Sequence, residues 1–486
     1  MQNHIPNIIL KISRLTKISC PVILSVLFFF VAGSCISKTN QSDTGLMIGV
    51  AEVNYSPEVG LDLVGNYRGN DYASRGIHDS LYARAIVAKD PKGNKAALLT
   101  LDICYLFKEA VEVMRDNIAS KTDIKRENIM ISATHTHSGP KADISNPKAR
   151  EFLLRASCAV ILANERLKPT VISAGRSTEE RISFNRRLKC ADGSTHMCWE
   201  KLEPGFVTAP LGPIDPEVIT ISLEQEGRSV GSLINFGCHA TTLTGNNWLY
   251  SADYPGYLRE SIKKVKGKDF IPLFFNGCCG NVTQVDYRVG FPDTYQECQR
   301  IGYILGVAAM EAMNKQEIVP GDQVAVSREM VPLKRITISD DQLSWANTVM
   351  KKVEIEGMPP IQANGIPNAV YARDWIKLSK IQSQVDSLEV MVVRIGGVAF
   401  VGLPGEMFAE FGMNIKAVSP FKNTFVMGLT NDKRGYFPTK ISFTQGPKGF
   451  TPMITGYETT PGTTLYEMGS GEILTESAIK QLKKIY

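Results

Sequence analysis

Histidine is scarce in this chain, with six among 486 residues: His4, His78, His135, His137, His196 and His239. Tryptophan is scarcer still, at four. Several chemistry-bearing patterns are missing. GxSxG occurs once, as Gly227-Arg228-Ser229-Val230-Gly231, between two strand-type runs rather than on a strand-to-helix turn, so it is not the nucleophile elbow of the serine hydrolases. HExxH is absent, as is GxGxxG with an acidic follower, and the Gly-rich turn at 277–280 lacks the Gly-Lys-Ser/Thr of a phosphate-binding loop. No CxxC pair of zinc-finger type is found. An excess of one charge is lacking too: 54 Lys+Arg against 49 Asp+Glu leave +5, too weak a balance for a dedicated nucleic-acid binder. A content of 43% hydrophobic residues excludes disorder for the bulk of the chain. No internal repeat is evident, and no low-complexity linker divides the chain after residue 45.

What is present begins with an export pattern. Lys11, Arg14 and Lys17 precede an apolar run at 21–32 and the small residues Gly33-Ser34-Cys35. The run is short for a membrane span but suits the apolar stretch of a signal peptide. Ala32-Gly33-Ser34-Cys35 resembles a bacterial lipobox, with Ala where Leu is usual. The expectation is a lipoprotein-type signal over 1–35, a polar tether over 36–45 and a catalytic domain over 46–486. A lipidated Cys35 would hold the protein at a membrane surface in the cell envelope, with plain secretion as the alternative. Of ten Cys, eight lie beyond the signal. Cys190 and Cys198 bracket a polar loop and form the best candidate disulfide in an exported protein. The others sit mostly in apolar runs and read as buried thiols.

Short Val/Ile/Leu/Phe-rich runs predict strands at 96–101, 128–133, 171–175, 218–223, 232–236, 271–275, 324–329, 388–395, 398–403 and 424–429. Helical periodicity predicts helices at 108–121, 147–166, 254–265, 295–314, 339–356, 370–384 and 472–484. Their alternation indicates an α/β fold. Gly396-Gly397 between two strong strands predicts a hairpin, so the sheets are mixed.

The chemistry gathers at strand ends. Ser132-Ala133-Thr134-His135-Thr136-His137-Ser138-Gly139-Pro140 carries two His at i, i+2, which share a face on a regular strand. Both could meet one metal, or one could bind metal while the other faces substrate. Hydrogen-bonded His at a loop mouth is the plainer alternative. His239 follows another buried strand, and Asp253 reads as the N-cap of the next helix. Glu406 sits on a Pro404-Gly405 turn, where stabilising a helix N-terminus would also account for it. Phe275-Asn276-Gly277-Cys278-Cys279-Gly280 is a Gly-rich turn that lets backbone approach a substrate. Two His and one Glu form a catalytic zinc set with an open position. The residues alone therefore point to an exported metal-dependent hydrolase.

Taken in order along the chain, these motifs resemble the neutral/alkaline non-lysosomal ceramidase family. The resemblance runs through Gly49-Val50-Ala51, Gly76-Ile77-His78, Ile131 to Pro140, Pro404-Gly405-Glu406 and Gly435-Tyr436. It implies an α/β fold with a single large catalytic domain of mixed β-sheets flanked by helices, without the C-terminal immunoglobulin-like domain of longer members. It implies Zn2+ held by His135, His239, Glu406 and Tyr436, and cleavage of the N-acyl bond of ceramide or a related N-acyl lipid by zinc-activated water. His137 would face substrate and stabilise the oxyanion. Arg186 would be the active-site Arg, with Arg187 nearly equal to it, and Tyr457 a second substrate-facing hydroxyl. Two departures stand out: Thr283 replaces the family Ser, and Asn281 replaces an Asp. A zinc hydrolase of the same fold acting on another amide, ester or glycan-linked substrate is the alternative. A surface lipoprotein that binds without turnover is a third reading.

Overall fold

Three stretches of the chain fold in the same pattern. In the first, strands Met47–Asn54, Tyr82–Lys89 and Lys95–Leu101 pair antiparallel in sequence order, helix Lys108–Ala119 crosses over, and strand Ile129–Ala133 adds parallel to Lys95–Leu101. The second repeats this with Val171–Thr178, Glu217–Gln225, Arg228–Phe236, helix Asp253–Lys266 and strand Ile271–Asn276. The third uses Val324–Lys334, Val385–Ile395, Val398–Gly402, helix Ala409–Val418 and strand Asn423–Met427. A closing helix then packs back on the first two strands of its own sheet: Pro147–Glu165, Tyr295–Asn314 and Ser470–Ile485. The description covers residues 45–359 and 366–486 of this computed structural model. The expected signal, the tether residues 36–44 and Cys35 lie outside the described residues.

The period-two alternation of strand residues explains the layering. One face of each sheet enters a core common to all three, with Ile86 and Leu98 from the first, Ile221 and Leu233 from the second, and Val393 and Phe400 from the third. The opposite face of each sheet is covered by that stretch's own helices. Leu99 and Ile131 pack with Phe152, Phe274 with Leu305, and Val401 with Leu474. Close approach of the closing helix is marked twice at equivalent places. A Cβ on Gly49 would overlap the Ala163 carbonyl, and one on Gly175 the Ala312 carbonyl. The repeat escapes the sequence because packing asks only for buried aliphatic side chains of the right size, which many sequences supply.

Besides the long connection 428–469, which precedes the third closing helix, a long insertion falls between the first and second strands of each sheet: 55–81, 179–216 and 335–384. The third carries helices Asp340–Glu356 and Asn368–Ser379, joined by a Trp345–Trp375 contact, the first opened by a Ser339/Gln342 capping box. The hairpin at Gly396-Gly397 is present, pairing Ile395 with Val398. Among the described residues, no helix is long and apolar enough to cross a membrane.

Two expectations are corrected. Cys190 and Cys198 are free. They stand at opposite ends of a hairpin in which Lys189 faces Thr195 and Arg187 faces Met197, so about four strand residues, roughly 13 Å, separate them. That exceeds the ~7 Å a disulfide tolerates. Asp253 begins its helix at φ 54° rather than capping it. Its carboxylate accepts from the Tyr254 N–H (2.6 Å) and the distant Leu243 N–H (3.1 Å).

Candidate metal centre

Each sheet delivers one ligand-type side chain just beyond the C-terminal end of a strand in its parallel pair, where α/β sheets open their crevices. His135 follows Ile129–Ala133, His239 follows Arg228–Phe236, and Glu406 follows Val398–Gly402. His135 stands at φ 72°, a left-handed conformation costly for a residue with a Cβ and typical of functional sites. Its Nδ1 donates to the Cys104 carbonyl at 2.8 Å, which turns Nε2 inward. His239 is set likewise, with Nδ1 donating to the carbonyls of Cys279 (2.7 Å) and Val282 (2.9 Å). A carbonyl on one ring nitrogen leaves the other to bind metal.

The inward atoms converge. His135 Nε2 lies 3.3 Å and His239 Nε2 3.2 Å from Glu406 Oε2. Tyr436 Oη stands 3.4 Å from His239 Nε2. Zinc bonds of 2.0–2.1 Å place tetrahedral ligands about 3.3 Å apart, so the donor set fits that ion in both spacing and chemistry. Glu406 and Tyr436 are brought together by a short parallel ladder in which they are direct partners. The turn ahead of Glu406 needs Gly405, which has φ 90° and would place a Cβ 2.6 Å from the Gly435 carbonyl.

Burial shapes the charges. His135, His239 and Glu406 are all nearly inaccessible. Burial would lift the Glu406 carboxyl, but His135 and His239 hold it well below the usual carboxylate range. Burial and the Arg186 guanidinium push His239 down to about 4, keeping its imidazole neutral. Burial, with His135 and His239 alongside, holds His137 below the ordinary histidine value. Its Nε2 is 3.3 Å from His135 Nε2, and its Nδ1 meets Asn66 Oδ1 at 3.3 Å. Cys104 joins His135 and His137 in a second buried group beside the first.

The two arginines divide. Arg186 Nη1 lies 3.2 Å from His239 Nε2, and its Nε donates to Glu458 at 2.7 Å. Arg187 donates to the other Glu458 oxygen at 2.8 Å but turns away, to the carbonyls of Ser442 and Thr455. Arg186 is therefore the one that reaches the cluster. Its Nη2 is buried without a partner, and its guanidinium faces the rings of Tyr436 and Tyr457. The Tyr457 ring packs edge-on against Tyr436 at 5.4 Å. Thr283 pairs with Phe184 on a short ladder, and its hydroxyl donates to Gln284 at 2.9 Å. Asn281 accepts from the Ala409 N–H and donates to the Glu410 carboxylate, both at 2.9 Å. An Asp there would face a half-buried carboxylate, so Asn281 is matched to Glu410.

Glu458 was not singled out by sequence reasoning. Only its place beside Tyr457 in Gly456-Tyr457-Glu458 could have pointed to it.

Residues 47–300 match the family model described as neutral/alkaline non-lysosomal ceramidase, N-terminal, and the chain belongs to that family. It is 25% identical over 281 residues to a neutral ceramidase of Pseudomonas aeruginosa, covering 53% of this chain and 40% of that protein. It is 27% identical over 216 residues to neutral ceramidase A of Dictyostelium discoideum, covering 40% of this chain and 29% of the relative. These alignments thus span well under half of the relatives' length. The crystal structure of the Pseudomonas aeruginosa neutral ceramidase superposes with a TM-score of 0.69 at 19% identity, covering 91% of this chain and 75% of that one. The mixed α/β architecture expected from the sequence is that fold.

Proposed function

We propose that this protein is a zinc-dependent amidohydrolase that cleaves the N-acyl bond of ceramide or a related N-acyl lipid. The observation that carries this reading is the convergence of His135, His239, Glu406 and Tyr436 at tetrahedral spacing, with both imidazoles fixed by backbone carbonyls. Zinc, when bound, supplies Lewis acidity and lowers the pKa of a water toward ~7. The chain's own groups do the rest. His137, kept neutral, presents Nε2 beside the ligands, where it holds or passes a proton. Arg186 stays charged because Tyr436, Glu458 and Glu406 outweigh the burial that opposes it. That fixed charge stabilises negative charge developing on the scissile carbonyl oxygen. The Tyr457 ring bounds the same space.

A panel of zinc-loaded assays tests the reading. Fatty-acid release from N-acyl sphingoid bases is expected, and loss of both metal and release in His135→Ala. Turnover that survives complete chelation would overturn it. One observation favours a second reading, a zinc hydrolase of another amide, ester or glycan-linked substrate. The Thr283 hydroxyl donates its hydrogen bond to the neighbouring Gln284 side chain at 2.9 Å. Intact ceramide under full zinc loading would favour that alternative. The proposal includes export and tethering through a lipidated Cys35, for which the sequence is the support; labelling with a radioactive fatty acid tests it.

A further inference from the structure

Three buried asparagines each tie one ligand-bearing sheet to another. Asn276, at the end of strand Ile271–Asn276, donates from Nδ2 to the carbonyl of Thr134 (3.1 Å) and to that of Cys238 (3.0 Å), while its Oδ1 accepts from the Cys238 N–H at 3.2 Å. Thr134 and Cys238 immediately precede His135 and His239. Asn235 donates to the carbonyl of Phe275 (2.9 Å) within its own sheet and to that of Val426 (3.3 Å) in the third sheet. Asn431 closes the ring, its N–H donating to the Ile131 carbonyl and its Oδ1 accepting from the Ile131 N–H, both at 2.8 Å. All three side chains are buried, so these bonds form in a low dielectric, where an unmade partner is costly.

We infer that Asn276 is a positioning residue that sets the spacing of His135 and His239, through one amide bonded to the residue before each, and so fixes the metal affinity of the site. This rests on the metal-centre reading above. The geometry is specific to an amide. Only a side chain with two donor hydrogens and an acceptor on one planar group can hold both carbonyls and the Cys238 N–H together. The approach is helped by Gly277, where a Cβ would sit 2.9 Å from Gly237 Cα, so the two loops lie in direct contact. An Asp at 276 would keep the shape and lose both donated bonds, turning a negative oxygen toward two carbonyls.

The test compares the purified full chain with Asn276→Asp and Asn276→Ala, reading zinc affinity by chelator competition and the visible spectrum of the Co2+-loaded protein. Losses of 10–100-fold are typical when an outer partner of a metal ligand is removed. The expected result is a loss of that size in both variants and an altered Co2+ spectrum, read under conditions where each variant is folded, with a lowered but still cooperative metal-free denaturation transition. Unchanged affinity and spectrum would overturn the inference. So would failure of both variants to fold, since Asn276 would then serve the fold rather than the ligand spacing. If the wild type binds no zinc, it is the metal-centre reading that fails. A wild type that binds zinc no better than the variants leaves that reading intact and refutes the role of Asn276.

Discussion

Glu406 and Tyr436 face each other as register partners in a two-stranded parallel ladder, so the carboxylate and the phenol come to the candidate metal centre as one unit. The ladder is held by the Glu406 N–H donating to the Gly435 carbonyl at 2.9 Å and the Phe408 N–H donating to the Phe437 carbonyl at 3.3 Å, while the Tyr436 N–H is anchored outside it, to the Thr463 carbonyl at 2.9 Å. The two His come separately, each on its own sheet.

That difference separates the ligand variants. Glu406→Gln should abolish tight zinc binding, because a neutral amide replaces the single anionic ligand. Tyr436→Phe should retain metal at reduced affinity, because three stronger donors remain. Metal content after gel filtration, measured by atomic emission, checks both. Equal zinc in Glu406→Gln and wild type would remove Glu406 from the ligand set.

Glu458 neutralises Arg186 and Arg187 at once, at 2.7 and 2.8 Å, with none of its side chain exposed. Glu458→Gln leaves two guanidinium groups short of a counter-charge. It should cost about 3–5 kcal/mol of stability, read as a shift in urea midpoint, and should lower turnover more than Arg187→Lys does. An unchanged midpoint would mean that water, not Glu458, compensates these charges.

Gly280 has no room for a side chain, since a Cβ there would overlap the Glu406 carbonyl. Gly280→Ala is expected to displace the Glu406 turn, costing about 1–3 kcal/mol and weakening zinc binding together. Calorimetric unfolding and zinc titration of the same sample would detect both effects.

Asp253 offers a pH signature away from the ligands. Burial, with Asp79 adding to it, pushes its carboxyl up to about 6, although the N–H groups of Tyr254 and Leu243 oppose the shift. Because the folded state holds this proton more tightly than the unfolded chain, the contribution is full below about pH 4 and is lost as pH rises through about 6. Each unit in that window changes stability by up to about 1.4 kcal/mol. Asn in its place removes the charge and keeps one of the two accepted bonds, since the N–H groups of Leu243 and Tyr254 go to different carboxylate oxygens. Asp253→Asn should therefore flatten the stability–pH profile between pH 4 and 6, as urea unfolding at stepped pH would reveal.

The strands and helices were largely legible because buried faces impose a period, as in Tyr295–Asn314, where Ile301, Leu305 and Ala308 line one side. His135, His239 and Glu406 were legible because rare or charged groups interrupted buried strand ends. Two opening strands, Met47–Asn54 and Tyr82–Lys89, were weaker signals, since Ala and Gly dilute their apolar pattern. What escaped depends on distant partners. Glu458 matters through arginines 271 and 272 residues away, and Asn276 through a carbonyl 142 residues away. A polar residue at a strand end carries no local mark of either role. Arg186 and Arg187 are neighbours on one short segment, and only the fold distinguishes them.

The threefold arrangement has a bearing on how the chain matures. With His135 from the first stretch, His239 from the second, and Glu406 and Tyr436 from the third, no partial length of polypeptide would complete the proposed ligand set. Metal capture would then be a late event, possible only after the last stretch has docked. Uptake of metal during refolding would then serve as a stopwatch for the final docking step, slower than the appearance of secondary structure and closely tied to the packing of Asn423–Met427 against its neighbours.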